Sequence, residues 1–139
     1  IIIVRTAVPS HILDTGTRLE AVVTSGLLES IFSTKGPLHD GAVVIKGERV
    51  LSAGCFLPLS QEVDIAKELG TRHRAAIGIT EESDVFAIVV SEETGIISTV
   101  DKGKIKRYMT PEKLFEQIKQ AYGITAVPRI DKKKEKKFI

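Results

Sequence analysis

Two short segments of the chain carry side chains that together could bind a polyphosphate and its metal ion. Residues 38–42 have the sequence LHDGA, and residues 70–74 have the sequence GTRHR. Arginine makes bidentate hydrogen bonds to phosphate, and a carboxylate binds hard cations such as Mg²⁺. If the fold brings the two segments together, they predict one site for a metal-bound triphosphate.

The first segment is short and admits two interpretations. An Asp-Gly pair usually marks a turn, but Asp40 and Gly41 lead into an apolar strand instead of joining two strands. Glycine there would let a ligand approach the backbone closely. His39 alone is typical of a surface histidine, whereas beside Asp40 it becomes a candidate metal ligand. A simple turn and a functional carboxylate both stay open on this pattern.

The second segment opens a predicted helix over residues 71–82, with Thr71 as its cap; a strand over residues 74–79 is the alternative. The helix places Arg72, His73 and Arg74 in the first turn, where each cation opposes the helix dipole by ~0.3–1 kcal/mol. An anion bound at that end would reverse this effect. The alternative is that the arginines pair with the surface carboxylates Glu68, Glu81 or Glu82.

A third polar stretch, SEETG at residues 91–95, follows a buried strand predicted over residues 85–90. Its acids, Glu92 and Glu93, could simply face solvent. They could also hold a cation or a ribose hydroxyl, because carboxylates serve both purposes.

The elements that must position these segments follow from hydrophobic periodicity. Apolar, β-branched runs predict strands at residues 1–4, 42–45, 50–57, 85–90 and 95–100, with a short strand near Ile105. Helices are predicted at residues 21–32 and 71–82, a short turn of helix at 64–69, and a helix from the Thr110 cap to Gly123. Its inward residues are predicted to be Leu114, Phe115, Ile118 and Tyr122. The pattern predicts one α/β (α+β-like) domain, with a central mixed sheet flanked by helices on both faces.

Composition sets limits on the class of protein. The chain has 139 residues, 42% hydrophobic and 27% charged, as expected for one soluble globular domain. No stretch reaches ~18 apolar residues, the length that a membrane-spanning helix needs. The single cysteine, Cys55, cannot form an internal disulfide, and its apolar neighbours predict a buried position.

The ends of the chain differ from its middle. The chain opens on the apolar run IIIV, which indicates a buried strand and a longer native protein. Residues 126–139 form a basic tail that we expect to be solvated. Attraction to anionic lipid or nucleic acid is the alternative. Nucleic-acid binding is disfavoured, because no aromatic platform accompanies the lysines.

Three sequence stretches resemble the diadenylate cyclase family. They are PLHDGA at residues 37–42, ELGTRHRAA at 68–76 and SEETG at 91–95, in order and at family-like spacing. The Asp-Gly-Ala and Arg-His-Arg motifs are the family's hallmarks. The third stretch is similar to the membrane-associated bacterial cyclic di-AMP synthases rather than the DNA-integrity scanning type. The resemblance covers residues 13–116, and residues 1–125 are expected to form the catalytic domain.

The resemblance implies an enzyme, a nucleotidyltransferase that condenses two ATP molecules into cyclic di-AMP and two pyrophosphates. It implies a divalent metal, Mn²⁺, Mg²⁺ or Co²⁺, and a face-to-face homodimer in which each subunit holds one ATP. It also implies a native protein tethered to the cytoplasmic face of the cell membrane through a segment absent here, while the chain itself is expected to be soluble. A catalytically silent module that binds ATP or a cyclic dinucleotide is the alternative.

The resemblance also assigns roles to single residues. Phe56 and Leu57 would contact adenine; a Tyr is often found in the family at the position of Phe56, so a polar contact there is in doubt. The implied catalytic residues are Asp40, Arg72 and Glu93; the implied nucleotide-binding residues are Gly41, Ala42, Phe56, Leu57, Gly70, Thr71, Arg72, His73, Arg74, Ser91 and Glu92; the implied metal ligands are His39, Asp40 and Glu93.

Overall fold

The computed structural model describes residues 1–60 and 69–124. In this part of the chain a seven-stranded sheet is combined with four helices. The elements are, in chain order, β1 Ile2–Val4, α1 Ser10–Asp14, β2 Thr17–Val22, α2 Ser25–Ile31, β3 Ala42–Lys46, β4 Arg49–Cys55, α3 Thr71–Glu82, β5 Val85–Val90, β6 Ile97–Asp101, β7 Lys104–Lys106 and α4 Pro111–Ala121.

The sheet is mixed, as predicted, and β1 lies at its centre. The strand order is β2-β4-β3-β1-β5-β6-β7. β1 pairs in parallel with β3 and antiparallel with β5. The other neighbouring strands pair antiparallel. The first strand of the chain therefore joins the two halves of the sheet.

Helices cover both faces of this sheet, which confirms the predicted layers. Side chains of successive strand residues point to opposite faces. Accordingly, Ile2 and Val4 of β1 belong to a core with residues of α1 and α3. Ile3, between them, packs with Ala121 of α4. A third cluster joins α2 to β3 and β4. It lies on the same face as α4, because its members Val43 and Ile45 point away from Val44, which belongs to the first core.

The predicted helix over residues 21–32 was wrong in its first part. Residues up to Val22 form β2, an edge strand whose partner is β4. The helix α2 begins only after Thr24, whose hydroxyl accepts a hydrogen bond from the Leu27 N–H at 3.0 Å. The short helix α1 was also missed, and His11 lies on its exposed surface.

The predicted helix after Thr110 was confirmed, but its buried face was partly wrong. The Thr110 hydroxyl accepts from the Lys113 N–H at 3.2 Å, and Pro111 is the first helical residue. Leu114, Ile118 and Ala121 face the sheet at i, i+4 and i+7 spacing. The predicted inward residues Phe115 and Tyr122 are instead 54% and 42% exposed.

Several boundaries and burial predictions can be compared directly. β4 ends at Cys55, so Phe56 and Leu57 lie beyond the predicted strand. Cys55 is 1% exposed, as expected, and burial raises the pKa of its thiol.

The predicted turn at 64–69, apart from Leu69, and the basic tail at 126–139 lie outside the described residues. In residues 1–60 and 69–124, no helix is both long and apolar enough to span a bilayer.

Candidate functional site

Four chain segments meet at one end of the sheet. β3 begins there and its antiparallel neighbour β4 ends there. β5 also ends at this end of the sheet, because it is antiparallel to β1, and β1 is parallel to β3. The helix α3 precedes β5 and packs against it in the opposite direction, so its first turn lies at the same end. The three polar segments of the sequence are therefore neighbours in space.

Arg72 is the side chain that links all three segments. Its Nη2 lies 2.6 Å from Oε1 of Glu92 and 3.7 Å from Oδ1 of Asp40. The first is a hydrogen-bonded ion pair, while the second exceeds hydrogen-bond length. The Asp40 side chain is 82% exposed. A loosely held carboxylate thus faces solvent beside a guanidinium that a different carboxylate orients.

The first turn of α3 offers free N–H groups to an anion. Gly70, not Thr71, is the N-cap, and no side chain among residues 1–60 and 69–124 caps this end. The predicted capping role of Thr71 was therefore wrong; Thr71 is the first helical residue, and it is exposed. The turn contains no acidic residue. Unpaired N–H groups, the helix dipole and arginine side chains then all favour a bound phosphate.

Gly41 has a tighter backbone environment than its sequence context suggested. Its φ is +103°, a conformation that side-chain-bearing residues rarely adopt. A Cβ at Gly41 would lie 2.7 Å from the carbonyl carbon of Gly54 and 2.9 Å from the Cys55 carbonyl oxygen. The turn before Ala42 therefore crosses the end of β4 in direct backbone contact. This glycine fixes where the Asp40 carboxylate emerges.

His39 is held in one tautomer by the backbone. Its Nδ1 lies 2.8 Å from the Gly36 carbonyl oxygen. A carbonyl oxygen only accepts, so Nδ1–H donates, and in the neutral imidazole with this tautomer Nε2 carries the lone pair. Metal-binding histidines are commonly oriented by such a second hydrogen bond. The arrangement suits His39 as a ligand.

The 91–95 segment forms a compact turn after β5. The Ser91 N–H donates to the Ile96 carbonyl at 3.0 Å, and the Gly95 N–H donates to the Ser91 carbonyl at 2.9 Å. The Ser91 hydroxyl accepts from the Thr94 N–H at 3.4 Å, so its own hydrogen can donate to a phosphate oxygen. Glu93 is exposed on this turn.

Phe56 and Leu57 leave the end of β4 at the same edge of the sheet. Phe56 is 72% exposed, whereas Leu57 packs against the buried core. The Phe56 N–H donates to the Thr15 hydroxyl at 2.9 Å. Sequence reasoning missed Thr15, because it lies far from Phe56 in the chain and no local pattern signals the contact.

His73 and Arg74 have different surroundings from Arg72. His73 is only 7% exposed, and burial lowers the pKa of its imidazole, with a smaller contribution from the nearby Arg107 cation. The Arg74 N–H donates to the Gly70 carbonyl at 3.2 Å. The burial of His73 favours a role in ordering the first turn over direct contact with a ligand.

The described side chains do not form a complete metal site by themselves. In residues 1–60 and 69–124, no three His, Cys, Asp or Glu side chains are grouped closely enough to hold an ion. His39 and Asp40 are adjacent and present an imidazole and an exposed carboxylate. Mg²⁺ and Mn²⁺ commonly take one or two protein ligands and complete their shell with phosphate and water. The donor set therefore fits a metal that arrives with a nucleotide.

Comparison with known proteins places this arrangement in a family. Residues 1–105 match the family model described as "DisA bacterial checkpoint controller nucleotide-binding", abbreviated DAC. The cyclic di-AMP synthase CdaA of Bacillus subtilis strain 168 is 48% identical over 110 residues, which is 79% of this chain and 40% of the relative. A diadenylate cyclase of Listeria monocytogenes strain 10403S is 49% identical over 115 residues, 82% of this chain and 42% of the relative.

Two solved structures have a fold similar to that of this chain. A crystal structure of a DacA double mutant from Staphylococcus aureus superposes with a TM-score of 0.84 at 39% identity, and the match covers 87% of this chain and 81% of that one. A structure described as a hypothetical membrane spanning protein from Bacillus cereus gives a TM-score of 0.74 at 45% identity, covering 78% and 53%. The chain spans less than half the length of the curated relatives quoted above.

Proposed function

The chain belongs to the DAC family of nucleotide-binding domains, and we propose that it is the catalytic domain of a diadenylate cyclase. The reaction would condense two ATP molecules into cyclic di-AMP. Each 3′-hydroxyl attacks the α-phosphorus of the other nucleotide, loses its proton and displaces pyrophosphate, so two phosphodiester bonds form and two pyrophosphates leave. The observation that carries the proposal is the approach of Asp40 to Arg72 at the first turn of α3.

The chemistry depends mainly on positioning and on neutralising charge. The N–H groups of Gly70, Thr71 and Arg72 and the Arg72 guanidinium would bind phosphate oxygens, and Ser91 would add a hydroxyl donor. Asp40 would accept or orient the proton of the attacking 3′-hydroxyl. Its exposure leaves room for a second nucleotide.

Adenine would lie against the exposed ring of Phe56 and beside Leu57. A ring stacked on a base contributes ~1–3 kcal/mol. Ala42 would line the same site at the start of β3, next to the Gly41 turn. These contacts need no hydroxyl at position 56, so Phe56 can supply the stacking surface that a Tyr would supply.

Nucleotidyl transfer in this family uses a divalent metal, and the metal would neutralise charge on the transferred phosphate. His39 through Nε2 and Asp40 are the residues placed to hold it, with Glu93 as a further candidate. We propose Mn²⁺ or Mg²⁺, with Co²⁺ as a third candidate, because oxygen-rich sites with few protein ligands suit such ions.

The part of the chain that the structure describes holds one such site, and the reaction needs two nucleotides. We therefore propose a homodimer in which two sites face each other. By similarity to the hypothetical membrane spanning protein from Bacillus cereus, we propose that the native protein is tethered to the membrane, with this domain on the cytoplasmic side.

The test is incubation with ATP and Mn²⁺ or Mg²⁺, followed by chromatographic detection of cyclic di-AMP. The rate should rise more steeply than protein concentration, because two subunits must meet. ATP binding without product, at high protein concentration and with either metal, would favour the catalytically silent module instead.

A further inference from the structure

Gly78 is a buried glycine inside α3, where alanine would be the better helix former. A Cβ at this position would lie 2.2 Å from the Pro58 carbonyl oxygen, 2.9 Å from the Ser60 nitrogen and 3.1 Å from the Leu59 carbonyl carbon. All three are backbone atoms, so no side-chain rotation could relieve the collision. The backbone of residues 58–60 thus lies directly on the helix, and only glycine permits it.

A hydrogen bond fixes the same segment one turn nearer the start of the helix. The Ser60 N–H donates to the Arg74 carbonyl oxygen at 3.0 Å. Arg74 belongs to the turn that also carries Arg72. Residues 58–60 are therefore attached to α3 at two points, and one of them is in the turn that presents its N–H groups to phosphate.

The residues just before this segment are the candidate adenine contacts. Phe56 is bonded through its N–H to Thr15, and Leu57 packs into the core shared by α1 and α3. The Phe56–Leu57 pair is thus held between α1 on one side and the Gly78 contact on the other. Moving the backbone of Pro58 away from α3 would move this pair away from Arg72.

We propose that Gly78 is a positioning residue of the nucleotide site. It sets the distance between the adenine contacts at Phe56 and Leu57 and the phosphate contacts at the first turn of α3. The inference rests on the proposed function, since it takes ATP as the ligand that spans both regions. Gly78 touches no nucleotide; it acts through the backbone of residues 58–60.

The test compares Gly78→Ala with Gly26→Ala, whose added Cβ would meet nothing within 4 Å. Dissociation constants are measured by calorimetry for ATP and for inorganic tripolyphosphate, both with Mg²⁺. Gly78→Ala should bind ATP about tenfold more weakly, because small displacements of a binding group are costly. Its affinity for tripolyphosphate should stay within about twofold of the parent value, because the triphosphate contacts lie on α3 itself. Gly26→Ala should change neither.

Equal losses for both ligands, or an unchanged ATP affinity in folded Gly78→Ala, would overturn the inference. If Gly78→Ala does not fold, Pro58→Gly loosens the same segment without adding bulk and must show the same selective loss. Failure of the parent protein to bind ATP at all would instead count against the proposed function. The two failures are thus distinguishable.

Discussion

Arg72 and Glu92 form a hydrogen-bonded ion pair of 2.6 Å at the first turn of α3. The pair is partly exposed, so it should contribute little to stability. Its effect is to hold the guanidinium beside Asp40, in the orientation that a phosphate would meet. The pair therefore links the 91–95 turn to the helix that carries the proposed anion site.

Replacing Glu92 with Gln should lower kcat/KM by about tenfold, because a less ordered guanidinium loses part of the advantage of fixed orientation. The melting temperature should stay unchanged. Steady-state kinetics and thermal unfolding check both statements. Glu20→Gln, which breaks the exposed Arg18–Glu20 pair of 3.6 Å, serves as the matched control. Unchanged kinetics in Glu92→Gln would show that Glu92 does not orient Arg72.

Replacing Asp40 with Asn should lower the rate of cyclic di-AMP formation by about a hundredfold or more. An amide can neither accept the hydroxyl proton nor bind metal well. The side chain is largely exposed, so the free energy of unfolding should not fall. Product formation and urea denaturation are the measurements. Glu48→Gln, an exposed acid on the β3–β4 hairpin, should leave activity intact. Full activity in Asp40→Asn would remove Asp40 from the mechanism.

Gly41→Ala should destabilise the fold by ~2–6 kcal/mol, since backbone strain and overpacking each cost ~1–3 kcal/mol. Gly47→Ala provides the control, because Gly47 also has a positive φ, of +59°, but a Cβ there would meet nothing within 4 Å. That variant should lose only ~1 kcal/mol. The difference between the two denaturation curves measures the contact with Gly54 and Cys55 together with the greater backbone strain at φ +103°. Equal losses would mean that the contact is easily relieved.

Phe56→Ala should raise the KM for ATP by about ten- to a hundredfold, in line with the ~1–3 kcal/mol of one aromatic–base stack. Stability should hardly change, because the ring is mostly exposed. Phe115→Ala removes a ring that is 54% exposed on α4, a helix that packs on the sheet face opposite to the core that Leu57 joins, and it should leave KM alone. An unchanged KM in Phe56→Ala would place the adenine elsewhere.

His73 should make the protein less stable in mild acid. Burial, and then Arg107, hold the pKa of its imidazole below the ordinary value of 6.5. The unfolded chain therefore takes up a proton at a pH where the folded chain does not. The contribution of neutral His73 to the free energy of unfolding is fully present above pH 6.5. It decreases as the pH drops below 6.5.

Denaturation at pH 7.5 and pH 5.5 checks this prediction. His73→Gln should lose less stability between these two pH values than the parent, whereas His11→Gln, at an exposed position, should behave like the parent. If His73→Gln keeps the full pH dependence, other groups cause it.

The local signals in the sequence predicted the parts of the site that depend on local chemistry. The α3 helix and the Thr110 cap are set by neighbouring residues, so they could be read from the chain. β2 was missed because an edge strand owes its conformation to pairing with β4, and its alternation of exposed and half-buried residues is short and interrupted by a register shift. The order of the strands also had to come from the structure.

Contacts between distant residues were the least predictable part of the site. The surface carboxylates named as alternative partners for the arginines lie nearer to Arg72 in the chain than Glu92, with which the structure pairs it. Gly41 was expected to let a ligand approach the backbone, and the structure adds that the place a Cβ would take is filled by the backbone of β4. Such contacts arise from packing between strands, which the sequence of either segment does not encode alone.

The central place of β1 has a consequence for how this protein is made. Its three residues bond to residues 44–46 on one side and 85–87 on the other. During synthesis, β1 emerges from the ribosome well before its partner β5, so the two strands cannot pair until β5 has been made. Contacts of such long sequence separation slow folding. The two halves of the sheet are therefore joined only when both partners of β1 are present, so we expect this domain to fold as one cooperative unit.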